Sequence, residues 1–142
     1  MDIRPLTDTF AVSPQITSAD VAEIAAAGYR TVICNRPDDE VPPFVRAAEI
    51  RQAVEDAGLT FVDIPIVSRN ISRSDIRRQR EAILASDGPV LAYCASGTRS
   101  TITWMFGALE SSTPEELIER AVKAGYPLGD LLPQLQTAAK SF

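Results

Sequence analysis

Four short runs of apolar and β-branched residues set the problem this chain has to solve: Phe10-Ala11-Val12-Ser13, Thr31-Val32-Ile33-Cys34, Leu59 to Ile64, and Val90-Leu91-Ala92-Tyr93. Each has the length of a buried strand, and the segments between them carry helical spacing instead of hairpin turns. Strands that are apolar on both faces must be covered on both, and the intervening helices are the available cover. The alternation predicts an α/β protein with a mainly parallel four- to five-stranded sheet flanked by helices.

The helix signals fit that scheme. Thr17 reads as an N-cap with Asp20 three residues on, followed by Val21, Ile24 and Ala25 at helical spacing and a stop at Gly28. A second helix is expected from Pro43 to Asp56, with Val45, Ala48, Ile50 and Val54 as its apolar stripe, ending at Gly58. Ser74 is expected to cap a third helix reaching Ala85. A fourth starts just after Tyr93 and runs to about Leu109, with Trp104 and Phe106 as core residues. Thr113-Pro114-Glu115-Glu116 combines a cap, a first-position proline and a third-position Glu, opening a helix that ends at Gly125. Asp130 is expected to cap a last helix to Ala139. No repeat, low-complexity tract or linker interrupts the 142 residues, so 1–142 reads as one domain.

Composition excludes several chemistries. The chain holds no histidine, which removes His-based triads, His metal sites and His acid–base catalysis together. Its two cysteines, Cys34 and Cys94, stand far apart with no metal-ligand spacing, and no metal or cofactor is expected. A net charge of −5 argues against nucleic acid or an anionic membrane as partner. Met1-Asp2-Ile3-Arg4-Pro5 is not a signal-peptide start, and no apolar run reaches membrane-spanning length. The expectation is a cytoplasmic protein with reduced thiols.

Chemistry concentrates after the last strand, in Tyr93-Cys94-Ala95-Ser96-Gly97-Thr98-Arg99-Ser100. A parallel strand delivers Cys94 at its carboxyl end, where ligands bind in open α/β sheets. The small residues Ala95, Ser96, Gly97 and Thr98 let successive backbone N–H groups turn inward as an anion-binding nest. The following helix aims its positive end at the same point, and Arg99 adds a full charge with a two-pronged donor. These effects favour a thiolate at Cys94, with Ser100 placed to hydrogen-bond that thiolate or a leaving sulfur.

This loop resembles the signature loops of cysteine-dependent phosphatases and of rhodanese-type sulfurtransferases. The chain as a whole resembles the phosphatase-like domain of beta-lactamase-hydrolase-like proteins, a family also described as sulfur transferases. The resemblance rests on Ile3-Arg4, Val12-Ser13-Pro14-Gln15, Asn35-Arg36-Pro37-Asp38, Ile64-Pro65 and the cysteine loop. It implies a fold similar to that of dual-specificity and protein-tyrosine phosphatases.

Three departures from phosphatase patterns narrow the reading. Four residues, Ala95 to Thr98, separate Cys94 from Arg99, one fewer than in tyrosine-phosphatase-like loops and equal to the rhodanese-type spacing. Tyr93 stands where phosphatases usually carry His, and Ala95 where the family often carries Arg. Val67-Ser68-Arg69-Asn70 follows Ile64-Pro65 with no carboxylate, where dual-specificity phosphatases place a general-acid Asp. An alkoxide leaving group needs a proton, whereas sulfite or a thiolate needs less help. The sequence therefore favours a sulfurtransferase that carries sulfane sulfur as a Cys94 persulfide. A phosphatase acting through phosphocysteine and a non-catalytic anion-binding module remain the alternatives. The expected substrate is a small anion (thiosulfate, a persulfide or a phosphate ester), and a sulfur-metabolism enzyme is a possible partner.

Other residues carry open readings. Arg36 is either an additional anion-binding group or a turn arginine paired to Asp38 or Asp39. Cys34 is read as a small buried hydrophobe ahead of a sulfur-accepting partner for Cys94. Asp63 and Asp75 are the remaining acid candidates, each also explained structurally. Arg73, Arg77 and Arg80 share one helical face, which is read as solvated ahead of a steering surface for an anionic substrate.

Overall fold

The computed structural model describes residues 1–141. The sheet has five strands: β1 (Arg4–Pro5), β2 (Phe10–Ser13), β3 (Thr31–Cys34), β4 (Thr60–Asp63) and β5 (Val90–Tyr93). Their spatial order is β1-β2-β5-β3-β4. The pairs β2–β5, β5–β3 and β3–β4 are parallel, and only β1 runs antiparallel, against β2. Every residue of β2, β3 and β5 is buried, as runs apolar on both faces require. The sequence gives no strand signal at Arg4–Pro5, because a two-residue edge strand has no period to read.

Helices α1 (Val21–Ala26) and α2 (Ala47–Asp56) cover one face of the sheet. They bury Ile24, Ile50 and Val54 with Val32, Leu91 and Tyr93. The other face carries α3 (Arg73–Ala85), α4 (Thr98–Gly107), α5 (Pro114–Lys123) and α6 (Leu132–Ala139). Its core joins Phe10, Val12, Ile33 and Ala92 to Met105, Leu117 and Leu135, and Phe10 stacks on Trp104 at 5.9 Å. Each fully buried side chain of this size contributes roughly 1.5–3 kcal/mol. No helix is long and apolar enough to cross a membrane among the described residues.

Several boundaries differ from expectation. The second helix opens as a 3-10 turn over Pro43–Val45 and becomes α-helical only at Ala47, which leaves Ala48 exposed. The third is capped by Ser72, two residues before Ser74: the Asp75 amide donates to Ser72 Oγ and the Ser72 amide to the Asp75 carboxylate. Asp75 is therefore a capping partner. Asp130 lies inside a 3-10 turn, Gly129–Leu131, and caps nothing. Phe106 is only half-buried, whereas Trp104 is core as expected. Thr113 and Glu116 form the predicted capping box.

Candidate active site

The carboxyl ends of the four parallel strands are laced together by backbone hydrogen bonds. Asn35 N–H donates to the Tyr93 carbonyl, Ile64 N–H to Cys34, Ile66 N–H to Asn35 and Gln15 N–H to Ala95. The loops after β2, β3, β4 and β5 thus form one rim, with Cys94 at its centre.

Gly97 makes the loop's turn possible. It sits at φ +99, the left-handed region that side chains disfavour, and a Cβ there would lie 2.0 Å from the Tyr126 hydroxyl oxygen. From this position its N–H donates to Cys94 Sγ at 3.1 Å. Helix α4 begins at the next residue, which places its positive N-terminal end beside the loop that holds the sulfur. Ser96 Oγ accepts from the Thr98 amide and donates to the Thr98 hydroxyl, which keeps the exposed side of the loop compact.

Arg99 is almost wholly buried although charged, and its partners account for that. One terminal nitrogen donates to Glu40 Oε2 at 2.8 Å and to the Ile66 carbonyl at 2.7 Å, and the other donates to Glu40 Oε1 at 2.8 Å. These bonds leave the Nε–H and one Nη2–H on the remaining edge, a geometry matched to two oxygens of an anion. The Glu40 pair, opposed by burial and supported by the neighbouring Cys94 thiol, raises the guanidinium's already high pKa. Reciprocally, hydrogen bonding from Arg99 holds the Glu40 carboxyl below the usual glutamate range.

The structure corrects the expected partner of Arg36. It pairs with Glu40, not Asp38 or Asp39, through Oε1 at 3.3 Å and the Glu40 carbonyl at 3.2 Å, and reaches Gln15 Oε1 at 3.3 Å. Two of its five N–H donors hold Glu40 in place and a third holds Gln15. Ser100 is also redirected. Its hydroxyl donates to Asn35 Oδ1 at 2.7 Å, and Asn35 Nδ2 donates to the Ile64 carbonyl at 3.0 Å. The Ser100 side chain thus ties α4 to the ends of β3 and β4 and does not hydrogen-bond the cysteine sulfur.

Glu40, Asn35 and Tyr126 join the site without having been singled out from the sequence. Glu40 and Arg99 lie 59 residues apart, and no local pattern links them. Asn35, in the turn cluster after the second strand, carried the nearest signal.

The opposite face of the sheet holds a row of polar groups in register: Asp63, Cys34 and Tyr93. Burial pushes the Cys34 thiol up to about 11, and its Sγ donates to the Arg36 carbonyl at 3.3 Å. This matches a small buried hydrophobe. Burial also raises Asp63, with Asp38 adding to the effect, and Asp63 Oδ1 is a buried oxygen without a hydrogen-bond partner among the described residues. No cluster of three or more His, Cys, Asp or Glu side chains that could hold a metal occurs among the described residues. Arg80 pairs with Glu110, while Arg73 and Arg77 are exposed along the outer side of α3.

Comparison with known proteins agrees with this fold. Residues 2–110 match the family described as the phosphatase-like domain of beta-lactamase hydrolase-like protein. A beta-lactamase hydrolase-like protein of Xylella fastidiosa is 28% identical over 98% of this chain, and the chain spans 33% of that protein's length. A structure of a candidate phosphatase from Neisseria meningitidis is 40% identical, covers 97% of this chain and 99% of its own, and superposes with a TM-score of 0.83. TpbA of P. aeruginosa, solved with phosphotyrosine, is 15% identical over 99% of this chain and 91% of its own, with a TM-score of 0.65, a likeness of fold alone. With its tyrosine-phosphatase-like α/β architecture, the chain belongs to the phosphatase-like domain family of beta-lactamase hydrolase-like proteins.

Proposed function

We propose that the chain is a cysteine-dependent phosphatase acting on phosphate monoesters with phenolic leaving groups. The observation that carries this reading is Arg99: Glu40 holds it by one face, and its open edge stands beside Cys94. Two oxygens of a phosphoryl group fit that edge, and the Gly97 N–H, aimed at the sulfur, adds a donor for the charge that develops in transfer. Arg36 serves the anion indirectly, by fixing Glu40.

In the proposed sequence the Cys94 thiolate donates its electron pair to phosphorus. The bond from phosphorus to the ester oxygen breaks, and the phenolate leaves with that pair and takes a proton from solvent. Water then attacks phosphorus, the sulfur–phosphorus bond breaks, and phosphate departs from the regenerated thiolate. Since Val67 to Asn70 hold no carboxylate, good leaving groups are favoured, which makes aryl phosphates the substrate class. Phosphotyrosine, the ligand solved with TpbA, belongs to that class.

A sulfurtransferase remains the second reading, supported by the four residues between Cys94 and Arg99 and by the missing acid. There the Cys94 thiolate attacks the sulfane sulfur of thiosulfate, the S–S bond breaks, sulfite leaves with the electron pair, and Cys94 carries a persulfide. One pair of assays separates the readings: turnover of para-nitrophenyl phosphate, and intact mass after thiosulfate. Turnover lost in Cys94→Ser, with no added sulfur on wild type, is the expected result. Silence towards aryl phosphates across pH, beside a 32 Da adduct (about one sulfur atom) on Cys94, reverses the order. Tight phosphate binding with neither reaction leaves an anion-binding module.

A further inference from the structure

One peptide unit in the loop carries two hydrogen bonds that act at its opposite ends. The Ser96 carbonyl accepts from the Tyr126 hydroxyl at 2.9 Å, and the Gly97 N–H donates to Cys94 Sγ at 3.1 Å. A trans peptide is planar, so its C=O and N–H point in opposite directions and cannot rotate independently. Whatever fixes the carbonyl outward fixes the N–H inward. Gly97, free of a Cβ at φ +99, is the residue next to which this peptide plane could otherwise flip.

We infer that Tyr126 is a positioning residue for the nucleophile, aiming the Gly97 N–H at the Cys94 sulfur by pinning the other end of the same peptide. The inference rests on the reading of Cys94 as a thiolate nucleophile. A hydrogen bond at the carbonyl also polarises the peptide and strengthens its N–H as a donor, so the effect is electrostatic as well as geometric.

Tyr126 is itself rigidly held. Helix α5 ends through Gly125 at φ +101, and the Tyr126 N–H donates back to the Ala121 carbonyl at 2.9 Å. The Arg4 guanidinium lies over the ring at 5.0 Å from its centre. The ring is buried, and the hydroxyl points at the loop. Residue 126 lies outside the 2–110 segment that matches the family, so this brace comes from a part of the chain on which that match is silent. The ionisable groups facing Cys94 are Arg99 from α4 and Tyr126, with Glu40 behind the first and Arg4 behind the second.

Tyr126→Phe keeps the ring, its packing and the Arg4 contact, and removes only the donor. Two measurements on the intact chain test the inference: the rate of Cys94 carboxymethylation by iodoacetate at neutral pH, read by peptide mass, and the Gly97 amide proton shift by NMR. The expected outcome is alkylation slowed about three- to tenfold, the scale of one hydrogen bond, together with an upfield move of the Gly97 proton. An unchanged rate and shift in a folded Tyr126→Phe overturns the inference. Should that variant unfold, Arg4→Gln, which loosens Tyr126 from the far side of its ring, is read the same way by the Gly97 shift. If wild-type Cys94 itself alkylates no faster than a simple thiol, the nucleophile reading fails, and the two failures stay distinct.

Discussion

Glu40 grips the Arg99 guanidinium with both carboxylate oxygens, each at 2.8 Å, from a loop that lies 59 residues earlier in the chain. This pair decides which edge of Arg99 is left open beside Cys94. Glu40→Gln keeps the shape and weakens the grip, so KM for an aryl phosphate should rise more than kcat falls, by about tenfold. Stability should drop by about 1–2 kcal/mol, since Arg99 is left partly unpaired in a buried place. Chemical denaturation and steady-state kinetics check both parts.

The same pair sets an acid limit. Glu40 is held below the ordinary glutamate value of 4.5 by its bond to Arg99. Its contribution is therefore complete above pH 4.5 and is lost as pH falls through the lower folded value, where the carboxylate takes up a proton. Denaturation midpoints of wild type and Glu40→Gln should stay apart at pH 7 and converge as pH falls below 4.5 and through the lowered folded value.

Asp63 predicts the opposite trend. Burial raises its carboxyl above the usual value of 3.8, so the cost of ionising it sets in as pH rises past 3.8 and is complete once pH exceeds the raised value. Asp63→Asn should stabilise the protein at pH 7 by about 0.5 kcal/mol, with the gain vanishing near pH 4. Thermal melts at the two pH values suffice.

Gly97→Ala places a Cβ in a left-handed backbone and against the Tyr126 hydroxyl. The expected cost is about 2–4 kcal/mol. Because part of it is a clash with one oxygen atom, Tyr126→Phe added to Gly97→Ala should be less damaging than the sum of the two singles. A double-mutant cycle in denaturant reads the coupling.

Ser100→Ala removes the donor to Asn35 Oδ1, at a buried oxygen with no solvent to replace it. A loss of about 1–2 kcal/mol is expected, with Cys94 alkylation within twofold of wild type. A much larger fall in alkylation would return Ser100 to the role the sequence first proposed for it.

The fold was legible because it is written locally: four runs apolar on both faces, separated by capped helices, leave few arrangements. The cysteine loop was legible for the same reason, since Cys94, Gly97 and Arg99 are neighbours in the chain. What escaped reading is what the fold brings from afar. Glu40 stands in an acidic turn that looks like solvated loop, and Tyr126 follows a helix stop as any core aromatic might. For Arg36, spacing favours Asp38 and Asp39 as partners, while the backbone turns Glu40 towards it. Ser74 lost its cap to Ser72 because only Ser72 has an acidic residue in the third position to complete the box. The short strand at Arg4–Pro5 rests on pairing with β2 alone.

Strand β5 occupies the middle of the sheet, with β2 on one side and β3 on the other, and it carries the cysteine at its tip. Such a strand exchanges its amide protons only when the whole domain opens. The Cys94 sulfur is thus mounted on the last part of the molecule to loosen. On heating, loss of thiol reactivity and global melting should fall on one curve, and local fraying of α6 alone should leave the chemistry untouched.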